Sequence, residues 1–212
     1  MSLLSDPHGQ QRVRRHGPDA RHARLAMILV HGRGASAEDI LTVAEALHLD
    51  DVLYVAPQAA GNTWYPFSFL TPIERNEPYL TSGLNRISSL IDSLRHEGLP
   101  PERVGLIGFS QGACLSLEYA ARYARQYAAV IGLSGGLIGP PGTPRKYAGS
   151  LGGTPVFLGC SDIDPHIPLE RVHETATVLR ALNATVDERI YAGMGHLVNE
   201  DEIQAVRALL QE

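Results

Sequence analysis

Three segments far apart in the chain carry side chains that together could perform acyl transfer. Ser110 stands in Gly108-Phe109-Ser110-Gln111-Gly112, a G-x-S-x-G. Glycines two residues either side allow a sharp turn that lifts the hydroxyl clear of the backbone. A serine hydroxyl needs a base to take its proton, and the base needs an acid to orient it. The downstream histidines are His166, His173 and His196. His173 falls in a helical pattern, and His166 reads as a solvated loop side chain. His196 ends the loop Ala192-Gly-Met-Gly-His196, between a strand pattern and a helix pattern, and is the candidate base. Asp162 and Asp164 share the loop before Pro165. Asp164 is the candidate acid, because a following proline biases it toward extended backbone; Asp162 is expected to brace the loop.

The oxyanion of a tetrahedral intermediate needs donors aimed at it. The backbone N–H of Gln111, at the start of a helix, is one candidate. The backbone N–H of Arg33, in His31-Gly32-Arg33-Gly34-Ala35, is the other. The Arg33 side chain is expected in solvent, and His31 is expected to brace the turn. Trp64, Tyr65 and Met194 lie in loops near these groups and are the candidate substrate pocket. The constellation requires no metal and no organic cofactor.

The elements that must position these residues follow from periodicity. Leu25–Val30 is a continuous apolar run, as in a strand covered on both faces. Similar short strands are expected at 52–57, 104–109, 128–134, 156–159 and 184–191. Between them helices are expected at 36–48, 82–97, 111–125, 169–182 and 200–210, with stripes such as Leu84, Ile87, Leu90, Ile91 and Leu94. Residues 58–81 and 135–153 break the pattern and read as long loops. Strands alternating with helices imply α/β architecture: a mostly parallel sheet with helices on both faces. Every candidate above then sits in a loop at the carboxyl edge of the sheet. Residues 1–23 are expected as a basic arm or edge hairpin, and 24–212 as a single domain.

Composition bounds the function. The chain has 212 residues, enough for one core and too few for a large cap domain. Its net charge of −5 argues against nucleic-acid binding. No apolar run approaches the roughly 20 residues of a membrane span, and no secretory signal is expected at the N-terminus. Cys114 and Cys160 have neither metal nor disulfide-framework spacing, so a cytoplasmic protein with two reduced thiols is expected.

With those residues in hand, the chain resembles the phospholipase/carboxylesterase family of α/β-hydrolases, which includes the acyl-protein thioesterases. The likeness runs from about Leu25 to the C-terminus and rests on the His31-Gly32 loop, GFSQG, Asp164-Pro-His-Ile-Pro168 and Gly193-Met-Gly-His196. It implies the α/β-hydrolase fold, with Ser110 as nucleophile, Asp164 as acid, His196 as base, and the Arg33 and Gln111 amides as oxyanion hole. The thioesterase branch usually reads HGLGD where this chain reads HGRGA. The stretch Asn62–Phe69 looks more like bacterial carboxylesterases. The expected activity is hydrolysis of small to medium acyl or aryl esters by a monomer or homodimer. The alternatives are a thioesterase or lysophospholipase for longer acyl chains, and a non-catalytic ligand-binding hydrolase fold.

Overall fold

A computed structural model describes residues 6–211. Seven strands form one sheet: β1 (Val13–His16), β2 (Leu25–Val30), β3 (Val52–Pro57), β4 (Val104–Phe109), β5 (Val130–Leu133), β6 (Pro155–Ser161) and β7 (Thr185–Tyr191). Five α-helices connect them: α1 (Ala37–Leu47), α2 (Tyr79–His96), α3 (Gln111–Arg122), α4 (Leu169–Ala181) and α5 (Glu200–Gln211). The spatial order is β1-β3-β2-β4-β5-β6-β7. All neighbours are parallel except β1, which runs antiparallel to β3. The sheet matches the mostly parallel architecture expected, and no large cap domain is inserted among the described residues.

Alternation along each strand divides the core between two faces. Ala26, Ile28 and Val30 of β2 pack with Leu84 and Ile87 of α2, Leu115 of α3 and Val172 of α4. Leu25, Met27 and Leu29 pack on the other side with Ile40 of α1 and Ile203 and Val206 of α5. Every residue of β2 and β3 is buried, which is why these strands read as unbroken apolar runs.

The order of strands reverses between β2 and β4, which are neighbours although β3 comes between them in sequence. The crevice outside the carboxyl ends of strands at such a reversal is where open α/β sheets take ligands. The His31 loop and the Ser110 turn leave the sheet there.

Of the segment expected as a basic arm or edge hairpin, residues 1–5 lie outside the described residues. Residues 13–16 form the sheet edge, but their partner is β3, not a neighbouring hairpin strand. Arg12 and Arg14 pair with Glu38, and Arg15 with Glu97. Helix α2 begins at Tyr79, three residues before the expected start, directly after a short turn at Ile73–Asn76 in which only Asn76 is buried. Helix α3 ends at Arg122, short of the expected Arg125.

Candidate active site

Ser110 occupies the N-cap of α3 with φ 55° and ψ −118°. A serine held in that region is strained, and the surrounding bonds enforce it. Its N–H donates to the Leu133 carbonyl at 2.9 Å, and its carbonyl accepts from the Cys114 N–H at 3.0 Å. The two flanking glycines are required by close approach. A Cβ on Gly108 would strike the Gly112 carbonyl, and one on Gly112 would drive into the Val30 carbonyl. Helix α3 thus lies backbone to backbone against β4 at Gly108 and against the end of β2 at Val30.

The three side chains expected to work together are brought together. His196 Nε2 lies 2.8 Å from Ser110 Oγ, and its Nδ1 lies 2.7 Å from Asp164 Oδ2. The side chain of Asp164 is shielded from solvent, and its Oδ1 accepts the N–H groups of His166 at 2.8 Å and Ile167 at 3.1 Å. Burial works to raise the Asp164 carboxyl. The His196 hydrogen bond, the two backbone donors and the nearby imidazole outweigh it and hold the carboxyl below its ordinary value. A carboxylate bonded to Nδ1 leaves Nε2 free to accept the serine proton.

The loop that carries His196 is tied to the loop that carries Asp164. Asp162 Oδ1 accepts the Gly193 N–H at 2.8 Å, and Ser161 Oγ accepts the Gly195 N–H at 3.1 Å. Gly193 and Gly195 have φ of 68° and 80°, so the turn needs residues without a Cβ. Of the other downstream histidines, His173 is exposed on α4 and meets Glu188. His166 stands at the mouth, its ring 4.8 Å from that of His196 and edge-on to it.

The two residues expected to supply the oxyanion donors, Arg33 and Gln111, line the same cleft as Ser110. Among the described residues, neither the Arg33 nor the Gln111 backbone N–H donates to another protein group. His31 braces the turn from beneath. It is wholly buried, its Nδ1 donates to the Gly32 carbonyl at 2.7 Å, and its Nε2 accepts the Ala59 N–H at 3.1 Å. Burial lowers its pKa, which favours the neutral ring that both bonds require.

Beside Ser110 lies a cleft of about 510 Å³, walled by Tyr65, Phe67, Phe69, Phe109 and Ile167, with Cys114 on its floor. Of the three pocket candidates only Tyr65 lines it. Trp64 is completely buried behind the wall, its indole N–H donating to the His31 carbonyl at 2.9 Å. Met194 faces away, its sulfur taking the Asn199 side-chain N–H at 2.8 Å.

The Arg33 side chain is exposed, as expected, but it is not free. Its guanidinium donates to the carbonyls of Tyr65, Pro66 and Phe67 at 3.0, 2.9 and 2.8 Å. The Gln111 side chain does similar work, accepting the Trp64 N–H and donating to the Tyr65 carbonyl, both at 2.8 Å. Residue type gives no hint of these roles, because the partners are backbone groups more than 30 positions away.

The phospholipase/carboxylesterase family model matches residues 16–212. The chain belongs to the phospholipase/carboxylesterase family. It is therefore an ester-hydrolysing enzyme with an α/β-hydrolase fold. It is similar to the crystal structure of a phospholipase/carboxylesterase from Dyadobacter fermentans, at 38% identity and a TM-score of 0.92, covering 100% of this chain and 99% of that one. It also resembles acyl-protein thioesterase 1 of Gibberella zeae, 27% identical over 92% of this chain and 93% of the relative. Carboxylesterase SOBER1 of Arabidopsis thaliana is 23% identical over 89% of this chain and 90% of the relative. No helix among the described residues is long and apolar enough to cross a membrane.

Proposed function

We propose that this enzyme hydrolyses small to medium acyl or aryl esters by a two-step acyl transfer through Ser110, His196 and Asp164. The observation that carries this reading is the pair of contacts at 2.8 and 2.7 Å that join the three side chains at the mouth of an aromatic-walled cleft.

In the first half, His196 Nε2 takes the Ser110 proton as Oγ attacks the ester carbonyl carbon. The C=O bond becomes a C–O⁻ single bond, and the Arg33 and Gln111 N–H groups receive that oxyanion. Asp164 holds the imidazole in the required tautomer and stabilises its cation. The tetrahedral intermediate collapses, the alkoxy oxygen leaves, and His196 returns the proton to it. In the second half, water gives a proton to His196 and attacks the acyl carbon. The tetrahedral intermediate collapses, the bond from the acyl carbon to Ser110 Oγ breaks, His196 returns the proton to Oγ, and the carboxylic acid departs. Acid suppresses turnover, because a protonated imidazole cannot accept the serine proton.

The walls support the size range. Tyr65, Phe67, Phe69 and Phe109 offer flat apolar surface to an acyl or aryl group. Two free, buried thiols suit a reducing, cytoplasmic compartment.

The test is the initial rate on p-nitrophenyl esters of increasing acyl length, with Ser110→Ala beside the wild type. Hydrolysis that peaks at short or medium chains and vanishes in the variant is expected. A long-chain optimum moves the assignment to a thioesterase or lysophospholipase role. Folded wild type without Ser110-dependent hydrolysis at any length refutes the reading.

A further inference from the structure

Part of the N-terminal segment folds back against the cleft wall through one side chain. His8 is wholly buried. Its Nε2 donates to the Trp64 carbonyl at 3.0 Å, and its Nδ1 accepts the Ala60 N–H at 3.0 Å. Both bonds require a neutral ring protonated on Nε2. The ring also stands edge-on to Trp64 and Tyr79, at centroid distances of 5.1 and 5.8 Å. Helix α2 fixes this segment in place: Ser82 Oγ accepts the His8 N–H at 2.9 Å, and Arg86 donates to the carbonyls of Gly9 and Gln11. The family match begins at residue 16, beyond this contact.

Trp64 is the junction between that segment and the oxyanion donors. Its carbonyl is held by His8, its indole N–H binds the His31 carbonyl, and its backbone N–H binds the Gln111 side chain. The next three carbonyls are held by Arg33. The 60–67 segment therefore touches both Arg33 and Gln111, which line the cleft with Ser110, and His8 secures its far side.

We infer that His8 is a positioning residue for the oxyanion site, acting through Trp64 to hold residues 60–67 against the Arg33 turn and Gln111. The inference rests on the ester-hydrolase reading of the Ser110 cleft. His8 does not line that cleft, so it makes no contact of its own with substrate and acts only through residues 60–67. Interactions made in the transition state alone appear in kcat, with KM unchanged.

The experiment uses the full chain and p-nitrophenyl butyrate, comparing wild type, Ser110→Ala, His8→Ala, His8→Gln and Ser82→Ala. Trp64 is the only tryptophan, so its emission reports directly on the junction. His8→Ala is expected to lower kcat about tenfold with KM held within about twofold, and to shift the emission to the red. His8→Gln, whose amide can still donate to the Trp64 carbonyl, recovers part of both, and Ser82→Ala shows a smaller loss of the same kind. Wild-type kcat in His8→Ala with a shifted emission overturns the inference. So does a defect confined to melting temperature. If His8→Ala does not fold, wild-type kcat in both other variants overturns it. Wild type without Ser110-dependent turnover overturns the ester-hydrolase reading and this inference together; Ser110-dependent turnover that is normal in wild type and in the His8 and Ser82 variants overturns the inference alone.

Discussion

Glu202 is a buried carboxyl whose ionisation opposes the folded state. It stands in the first turn of α5, where its Oε2 accepts the Asn199 N–H at 2.8 Å and its own N–H donates to Asn199 Oδ1 at 2.9 Å. The other oxygen, Oε1, is buried without a partner among the described residues and rests against Gly159, where a Cβ would collide with it. Burial pushes the carboxyl up to about 7; the Asn199 N–H opposes the rise and the Asp201 charge adds to it. An acid whose folded value exceeds its unfolded one binds more protons folded, so stability falls as pH rises between the two. From an ordinary 4.5 to about 7, at about 1.4 kcal/mol for each pH unit, the full penalty is about 3 kcal/mol. Below 4.5 it is absent, and above 7 it is complete.

Glu202→Gln keeps an acceptor for Asn199 and cannot ionise. Urea unfolding of both proteins at pH 5 and pH 8 gives four stabilities. Wild type is expected to lose about 2.5 kcal/mol across this interval that the variant keeps. Buried histidines such as His8 and His31 titrate in both proteins and cancel in the double difference. Any fixed cost of the new amide cancels as well. Equal pH dependence in the two proteins would mean that the carboxylate is solvated or paired in the fold, and the argument from burial fails.

Two further substitutions probe the machinery around Ser110. Gly112→Ala places a methyl against the Val30 and His31 carbonyls and must push α3 off β2; a stability loss of about 3 kcal/mol and a large drop in Ser110-dependent turnover are expected, read by thermal melting and p-nitrophenyl ester rates, and wild-type values in both would show that the elbow tolerates the shift. Arg33→Ala removes three hydrogen bonds to residues 65–67; it is expected to lower kcat/KM and to expose the 58–78 loop to limited proteolysis. Arg33→Lys should not restore either, because one ammonium does not reproduce the planar fork, and full rescue by lysine would reduce the role of Arg33 to its charge.

What the sequence made readable here is set by where the chain must turn. Ser110, Asp164 and His196 each follow a strand, and in a parallel sheet every such residue emerges at one edge. Strand positions and chain order were therefore enough to anticipate their meeting, although they lie as far as 86 positions apart. The surrounding support was not readable, and the reason is physical. His8 lies in a polar stretch without periodicity, yet it is buried because it bonds backbone groups of Ala60 and Trp64. Arg33 is exposed, as its type suggests, yet its guanidinium is committed to three carbonyls. Met194 was expected in the cleft from its place beside His196 in the loop, but the left-handed glycines on either side turn it toward Asn199. Every residue carries a carbonyl, so an acceptor of that kind leaves no mark in the residue types around it. Residues that do chemistry are betrayed by type and spacing. The residues that hold them still bind the anonymous backbone, and only the folded chain reveals which carbonyl each of them meets.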